Sequence, residues 1–283
     1  MQNSSIFGAF SVKSYAKINL FLHVTGRRGD GYHFLETVFQ FLDIKDTLTF
    51  TPAYGHEVTR IDEHEFDIPA NDLIIQAANL LKSQTNTGKL PGVNITLKKR
   101  IPPGAGMGGG SSNAASTLVA LNRIWKLGKS RAQLLKLAVK LGADVPVFIH
   151  GKSCWATGIG DIFQTFTPEE KWYCIYIPKV SVSTAKVFSN PNLIRNHPHI
   201  SMDDCLSTET TNDLEAVTRT LFAAVDDAFK LLGKFGNPRM NGSGSSVFIA
   251  CESKTHAHDI RNALPANSPC LITRSLNTIE HYK

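Results

Sequence analysis

Apolar positions mark out short strands and amphipathic helices in irregular order along the chain. In VNITLKKR (93–100) apolar and polar residues alternate, so Val93, Ile95 and Leu97 would share the buried face of a strand. VKSYAKINLFLHV (12–24) becomes strand-like towards its end, the turn-forming TGRRGDGYH (25–33) follows, and VFQFLDIKDTLTF (38–50) continues the pattern. NDLIIQAANLLK (71–82) has helical spacing, with Leu73, Ala77 and Leu80/Leu81 on one side and Asn71 or Asp72 as the cap. Ala114, Leu118, Leu121 and Trp125 recur at helical spacing until Gly128. Ser130 and Gln133 form a capping box for a helix carrying Leu134, Leu137, Ala138 and Leu141, closed by Gly142. In ADVPVFIHG (143–151), Pro146 disfavours helix at Val145 and predicts a loop or strand start.

The second half reads the same way. KWYCIYIPKV (171–180) is a buried strand, 211–236 is helical, and RMNGSGSSVFIACE (239–252) is a glycine turn feeding a strand. HAHDIRNAL (256–264) and CLITRSL (270–276) read as helix then strand. The mixing is irregular rather than a βα repeat, which predicts an α+β fold and argues against a doubly wound parallel sheet.

With 283 residues, 42% hydrophobic and 19% charged, the chain has room for one large or two medium soluble domains. No apolar run reaches the ~18 residues that would span a membrane, and the first residues lack the basic-then-apolar pattern of a signal peptide. Five cysteines, odd in number and without a CxxC pair, fit reduced thiols and a cytoplasmic location; a plastid stroma would be expected for a plant source, although no transit peptide is evident. The charge of +6 is modest, but its placement changes the picture. Between Asp72 and Asp144 there is no acidic residue, while eleven Lys or Arg fall in that interval. Such a segment suits an anionic ligand. Lys126, Lys129, Arg131, Lys136 and Lys140 read more simply as a solvated helix face, and no RNP, zinc-finger or basic-zipper pattern supports nucleic-acid binding.

The acid-free interval contains IPPGAGMGGGSSNAAS (101–116), with seven glycines or serines between Gly104 and Ser112 and alanines after them. Exposed backbone amides running into a helix N-terminus favour phosphate. A Walker A loop fails, because the glycine it needs upstream of Gly128-Lys129-Ser130 or Gly151-Lys152-Ser153 falls on Arg123 or Pro146. Gly104, Gly106 and Gly109 match GxGxxG, but no acidic residue follows at about 20 positions to hold a ribose. A glycine–serine loop leading directly into a helix remains, with Ser111 and Ser112 as cap and phosphate ligands and Ser112–Asn113 opening the helix.

The run from Pro102 to Ala115 resembles the second motif of the GHMP kinase superfamily. SYAKINLFLHVTGRRGDGYH (14–33) is similar to its first motif and MNGSGSSVFIA (240–250) to its third, in the expected order. AKINL joined to DGYH, with GADVPVF (142–148), resembles the branch whose acceptor is a cytidine-diphosphate-linked methylerythritol, phosphorylated at its C2 hydroxyl. The resemblance implies two lobes about a deep cleft, one like ribosomal protein S5 and one ferredoxin-like. Residues 1–155 would form the ATP lobe and 156–283 the substrate lobe.

It further implies a phosphate loop over Pro102, Pro103, Gly104, Ala105, Gly106, Met107, Gly108, Gly109, Gly110, Ser111 and Ser112, with Asn71 and Lys99 lining the adenosine pocket. Asp144 would be the general base and Lys17 would orient the hydroxyl and offset charge. From spacing alone, a strand-edge lysine and a capping aspartate remain open for these two. Asn19 is implied near the methylerythritol, Tyr32 and His33 at the cytosine, and Phe188 on the opposite face of the base; His33 by composition alone could be a packed loop histidine. ATP is the implied phosphoryl donor and Mg²⁺ is expected with it, with no metal ligands assigned. Neither nucleic acid nor membrane is expected as a partner, and the chain would act as a monomer or homodimer. Three departures stand out: Met107 for leucine, Tyr15 for proline, and Asn241 for serine or threonine. A homoserine or mevalonate type of GHMP kinase, a basic nucleic-acid-binding protein and a dinucleotide oxidoreductase are the alternative readings. His197, Pro198 and His199 read as surface loop.

Overall fold

The computed structural model describes residues 7–85, 90–205 and 209–280. Two long strands, β1 (Phe10–Arg27) and β2 (His33–Ala53), pair antiparallel around a turn at 28–32. The register of β1 slips at Tyr15/Ala16 and again between Asn19 and Leu22, so irregularities bracket Lys17 and Asn19. Such bulges re-aim the side chains beside them. Next come β3 (Val58–Asp62), helix α1 (Leu73–Ser83) and β4 (Gly92–Lys98). β4 runs parallel to β3 and antiparallel to residues 47–53 of β2. As their alternation predicted, Val93, Ile95 and Leu97 are fully buried.

Helices α2 (Gly109–Ile124), α3 (Arg131–Ala138) and α4 (Val145–His150) share one core with β2, β4 and α1, centred on Phe41, Phe50, Leu118, Leu121 and Phe148. Ser130 and Gln133 form the capping box of α3. Two sequence expectations are corrected. Residues 145–150 are helix, because Pro146 sits in the first turn, where its missing N–H would have had no intrahelical partner. The helix after the glycine loop begins at Gly109 rather than at Ser112–Asn113, since Gly108 takes a left-handed conformation at its N-cap and no side chain is needed there.

The first sheet continues through β5 (Cys154–Thr157), paired with residues 37–39 of β2, and β6 (Ile162–Thr165), paired with β5. The division expected after residue 155 thus falls inside β5. Beyond it lie β7 (Trp172–Tyr176), α5 (Thr184–Ser189), α6 (Glu215–Leu221), α7 (Ala223–Leu232), β8 (Arg239–Met240), β9 (Val247–Cys251), α8 (Lys254–Ala263) and β10 (Cys270–Leu276). These strands pair antiparallel in the order β10-β7-β9-β8 around a second core.

The lobes are joined where Ser275 and Leu276 pair with Leu42 and Phe41 of β2. A third buried cluster fills this junction with Ala16, Ile18, Leu42, Tyr173, Ile175 and Phe248, and with Ala105 and Met107 from the glycine loop. The architecture is α+β and two-lobed, as expected. All five cysteines are free and buried. Among the described residues, no helix is long and apolar enough to cross a membrane.

Candidate active site

The loop at 104–108 alternates in role as well as in residue type. Ala105 and Met107 are about 1% exposed and anchor the segment in the core between the lobes, so methionine fills the leucine position without loss of packing. Gly104, Gly106 and Gly108 line a cleft of about 820 Å³ that also takes in Gly109, Gly110 and Ser111. Gly106 has φ +74°, and an added Cβ would lie 2.5 Å from the carbonyl oxygen of Asn241. The turn of the third motif therefore lies directly against the loop. Ser246 Oγ donates to Ala105 O at 2.6 Å and completes that clamp. The first turn of α2 contains no acidic residue, and the amides of Gly109, Gly110 and Ser111 have no acceptor four residues back in the helix. Helix dipole and amide donors both favour an anion there.

Lys17 and Asp144 meet beside this loop, with Nζ 3.3 Å from Asp144 Oδ2. Lys17 is 2% exposed; its Nζ donates to Asn19 Oδ1 at 2.7 Å and its backbone N–H to Met107 O at 3.0 Å. Asp144 occupies the N-cap position of α4, yet its side chain makes no capping bond. The carboxylate instead turns to the lysine and stays 39% exposed, open to a ligand in the cleft. Asn19 Nδ2 donates to Thr37 Oγ1 at 2.9 Å. Asn241, fully buried, accepts from Asn19 N at 3.0 Å and donates to Lys17 O at 3.2 Å. An amide can do both at once, which a serine or threonine would not match in reach. Sequence reasoning noted Asn241 as a departure and missed its bracing role, whose only signal was its place at the head of the third motif.

At the far end of the cleft, Tyr32, His33 and Phe188 come together. Tyr32 is 57% exposed, whereas His33 is buried and lies 5.1 Å from the Phe188 ring at a tilt of 32°. Burial, reinforced by Arg195 and Arg27, pushes the His33 pKa below the usual histidine value. Arg195 Nε donates to His33 Nε2 at 3.1 Å, a contact with no sequence signal beyond a lone arginine in a loop. Asp30 accepts from Tyr32 N at 3.2 Å, and this bond, with Arg28 beside it, holds the Asp30 carboxyl below its usual pKa.

Several expected ligands do not face the cleft. Pro102 and Pro103 lead into the loop without lining it, and Ser112 is fully buried with an unpartnered hydroxyl. Asn71 is exposed, and its neighbour Asp72 caps α1; Leu73 is the residue from this region that reaches the cleft. Lys99 forms a buried ion pair with Asp46, which also accepts from Arg100 N at 2.7 Å and Ile101 N at 2.8 Å. Burial lowers the Lys99 pKa, partly offset by Asp46. Its Nζ would lie 2.9 Å from a Cβ on Gly109, so it supports the loop from beneath.

Residues 72–152 match the family model for the GHMP kinase N-terminal domain, and residues 193–270 match the GHMP kinase C-terminal model. The chain belongs to the GHMP kinase family. A 4-diphosphocytidyl-2-C-methyl-D-erythritol kinase from Nitrosococcus oceani is 42% identical to this GHMP kinase over 266 residues, 93% of each chain. A crystal structure of a 4-(cytidine 5'-diphospho)-2C-methyl-D-erythritol kinase superposes with a TM-score of 0.79 at 30% identity, over 94% of this chain and 99% of that one. A mevalonate kinase crystal structure shares the fold, with a TM-score of 0.70 at 14% identity over 96% of this chain and all of its own.

Proposed function

We propose that this GHMP kinase transfers the γ-phosphoryl group of ATP to the C2 hydroxyl of 4-diphosphocytidyl-2-C-methyl-D-erythritol, in the non-mevalonate route to isoprenoid precursors. One observation carries the reading: a single cleft holds the glycine loop, the Lys17–Asp144 pair and the Tyr32–His33–Phe188 group. The names of the two most similar proteins described above support the choice of acceptor.

In this mechanism the amides of the loop and of the α2 N-terminus hold the triphosphate. Asp144 accepts the C2 hydroxyl proton as its oxygen attacks the γ-phosphorus and ADP leaves. Lys17, oriented by Asn19, orients the hydroxyl and offsets the charge on the transferring group. The acceptor hydroxyl is tertiary and hindered, so fixed geometry contributes strongly. The cytosine would enter with Phe188 stacking on one face, Tyr32 closing from the other side and His33 at its edge. Asp144 and the Ser111 hydroxyl suit Mg²⁺ carried on the nucleotide, since that ion takes few protein ligands and several from phosphate and water. When bound, the ion neutralises phosphate charge.

Residues 1–155 would act as the ATP lobe and 156–283 as the substrate lobe, with the crossing in β5 and Tyr32 and His33 reaching over to the base. Asn71 and Lys99 would shape the adenosine side, Lys99 from beneath the loop. Lys126, Arg131, Lys136 and Lys140 are exposed on α3 and the loops flanking it, outside the cleft lining, and are read as solvated surface rather than a nucleic-acid site. The buried free thiols support a cytoplasmic setting, and the chain would act as a monomer or homodimer.

The test is ATP consumption with the diphosphocytidyl alcohol in wild type, Asp144→Asn and Lys17→Ala. Large losses of turnover with the fold preserved are expected; near-normal turnover in both variants would sink the site assignment. Turnover of mevalonate or homoserine in place of the cytidine compound would overturn the substrate.

A further inference from the structure

Arg195 lies in the segment after α5, and the arrangement of its donors is unusual for a loop arginine. Nη2 donates to Phe188 O at 2.8 Å and Asn190 O at 2.7 Å, and Nη1 donates to Leu193 O at 3.0 Å. Three carbonyls at and beyond the end of α5 therefore fix the guanidinium before His33 is considered. Of its two remaining N–H donors, Nε–H meets His33 Nε2 at 3.1 Å. One cation thus ties the start of β2 to the helix that carries Phe188.

We propose that Arg195 determines which pyrimidine the cleft accepts, by fixing the tautomer of His33. The inference rests on the cytidine reading given above. A guanidinium has donors and no acceptor, and it does not deprotonate in proteins. Nε2 of His33 must therefore present a lone pair, and the proton of the neutral ring sits on Nδ1. Burial and the Arg195 charge both oppose a second proton on the ring. Nδ1 makes no hydrogen bond among the described residues, and the ring lines the cleft, so His33 offers a ligand a single donor.

That donor discriminates. N3 of cytosine is an acceptor, whereas N3 of uracil carries a hydrogen and would set N–H against N–H. A histidine free to shift its proton could accept from uracil, and Arg195 removes that option. Specificity then comes from a built-in mismatch to the wrong base as much as from attraction to the right one. Sites that pair a specific polar group reject analogues lacking it far more strongly than apolar pockets do.

The experiment compares kcat/KM for the cytidine compound and its uridine counterpart in wild type, Arg195→Met and Arg195→Lys. Wild type is expected to favour the cytidine form by on the order of 10²-fold or more. Arg195→Met should lower that ratio at least about tenfold, mainly through the KM for the uridine compound. Arg195→Lys, which keeps a donor, should restore most of the ratio by returning the KM for the uridine compound towards its wild-type value. If Arg195 merely props α5, both substrates suffer equally and the ratio is unchanged, which overturns the proposal.

A second readout needs no substrate. Nitrogen-15 NMR of the His33 ring, assigned by difference from His33→Gln, should show the Nδ1–H tautomer in wild type at neutral pH and a mixture in Arg195→Met. An Nε2–H tautomer or an imidazolium in wild type would refute the proposal even if the methionine variant fails to fold. Failure of wild type to use either pyrimidine compound would refute the proposed substrate and leave this tautomer test standing.

Discussion

At the phosphate end of the cleft the atoms that would meet a ligand are mainly backbone amides, locked by Ser246 on Ala105 and by Asn241 between Lys17 and Asn19. At the base end they are side chains: Tyr32 at 57% exposure, His33 and Phe188, steered by one arginine from a loop. The first end is over-determined, so a small change there should disable it outright. The second end has room to move, so changes there should tune affinity while leaving the chemistry in place. This contrast suits a kinase whose phosphoryl donor is common to a superfamily and whose acceptor is not.

The contrast can be tested first where the loop is tightest. In Gly106→Ala the new methyl would meet two backbone oxygens, at 2.5 Å on Asn241 and 2.6 Å on Gly244, at a φ of +74°. Neither neighbour can move without shifting Lys17 or the third-motif turn. A displacement of about 1 Å can cost on the order of 10²-fold in rate. Turnover is expected to fall by at least about that much, together with a loss of stability of about 1–3 kcal/mol from the strained backbone. Kinetics and urea unfolding would check both, and a variant with near-normal turnover would show that this end is not over-determined.

Asn241→Leu should rank next. The leucine keeps the volume but leaves Asn19 N and Lys17 O buried without partners, at about 1–3 kcal/mol for each orphaned group. A lower urea midpoint and a reduced kcat with little change in KM for ATP are expected. An unchanged midpoint would mean that water replaces the amide.

Phe188→Ala probes the other end. Losing a stacking face for the base costs about 1–3 kcal/mol. KM for the cytidine compound should rise by roughly tenfold or more, with KM for ATP unchanged. An equal rise in both constants would mean that the two ends are mechanically linked and the contrast false.

The same contrast explains how much could be read in advance. The phosphate loop was legible because its chemistry is local: glycines are needed where φ is positive, and each lies within a few residues of the next. Strand β4 and the capped helix α3 were legible for the same reason. Asp144 stood out because it ends a long interval without acids, although only folding could reveal that its side chain forgoes the cap bond to meet Lys17. Arg195 and Asn241 act across 162 and 222 residues of sequence, through contacts that no periodicity encodes. Ser112 misled because a serine beside a helix start reads as a cap, whereas a left-handed glycine had already opened the helix.

The smallest expected effect concerns acid. Helix α4 begins at the exposed Asp144 carboxylate and ends on His150, whose Nε2 is buried without a partner and whose ring lies 5.0 Å from Phe163. Burial, with Arg131 and Lys152 nearby, depresses its pKa to about 4. The native state therefore keeps this ring neutral over a range in which the unfolded chain, titrating at about 6.5, takes up a proton. Protonation then favours the unfolded state. Stability should be flat above about pH 7 and fall as pH drops through 6.5 towards 4, by about 1–2 kcal/mol from this group at pH 5.5. His150→Gln cannot titrate, so its Tm should decline less than that of wild type between pH 7 and 5.5. Parallel declines would mean that acid acts elsewhere, and that the scaffold behind Asp144 tolerates a charge its dryness should forbid.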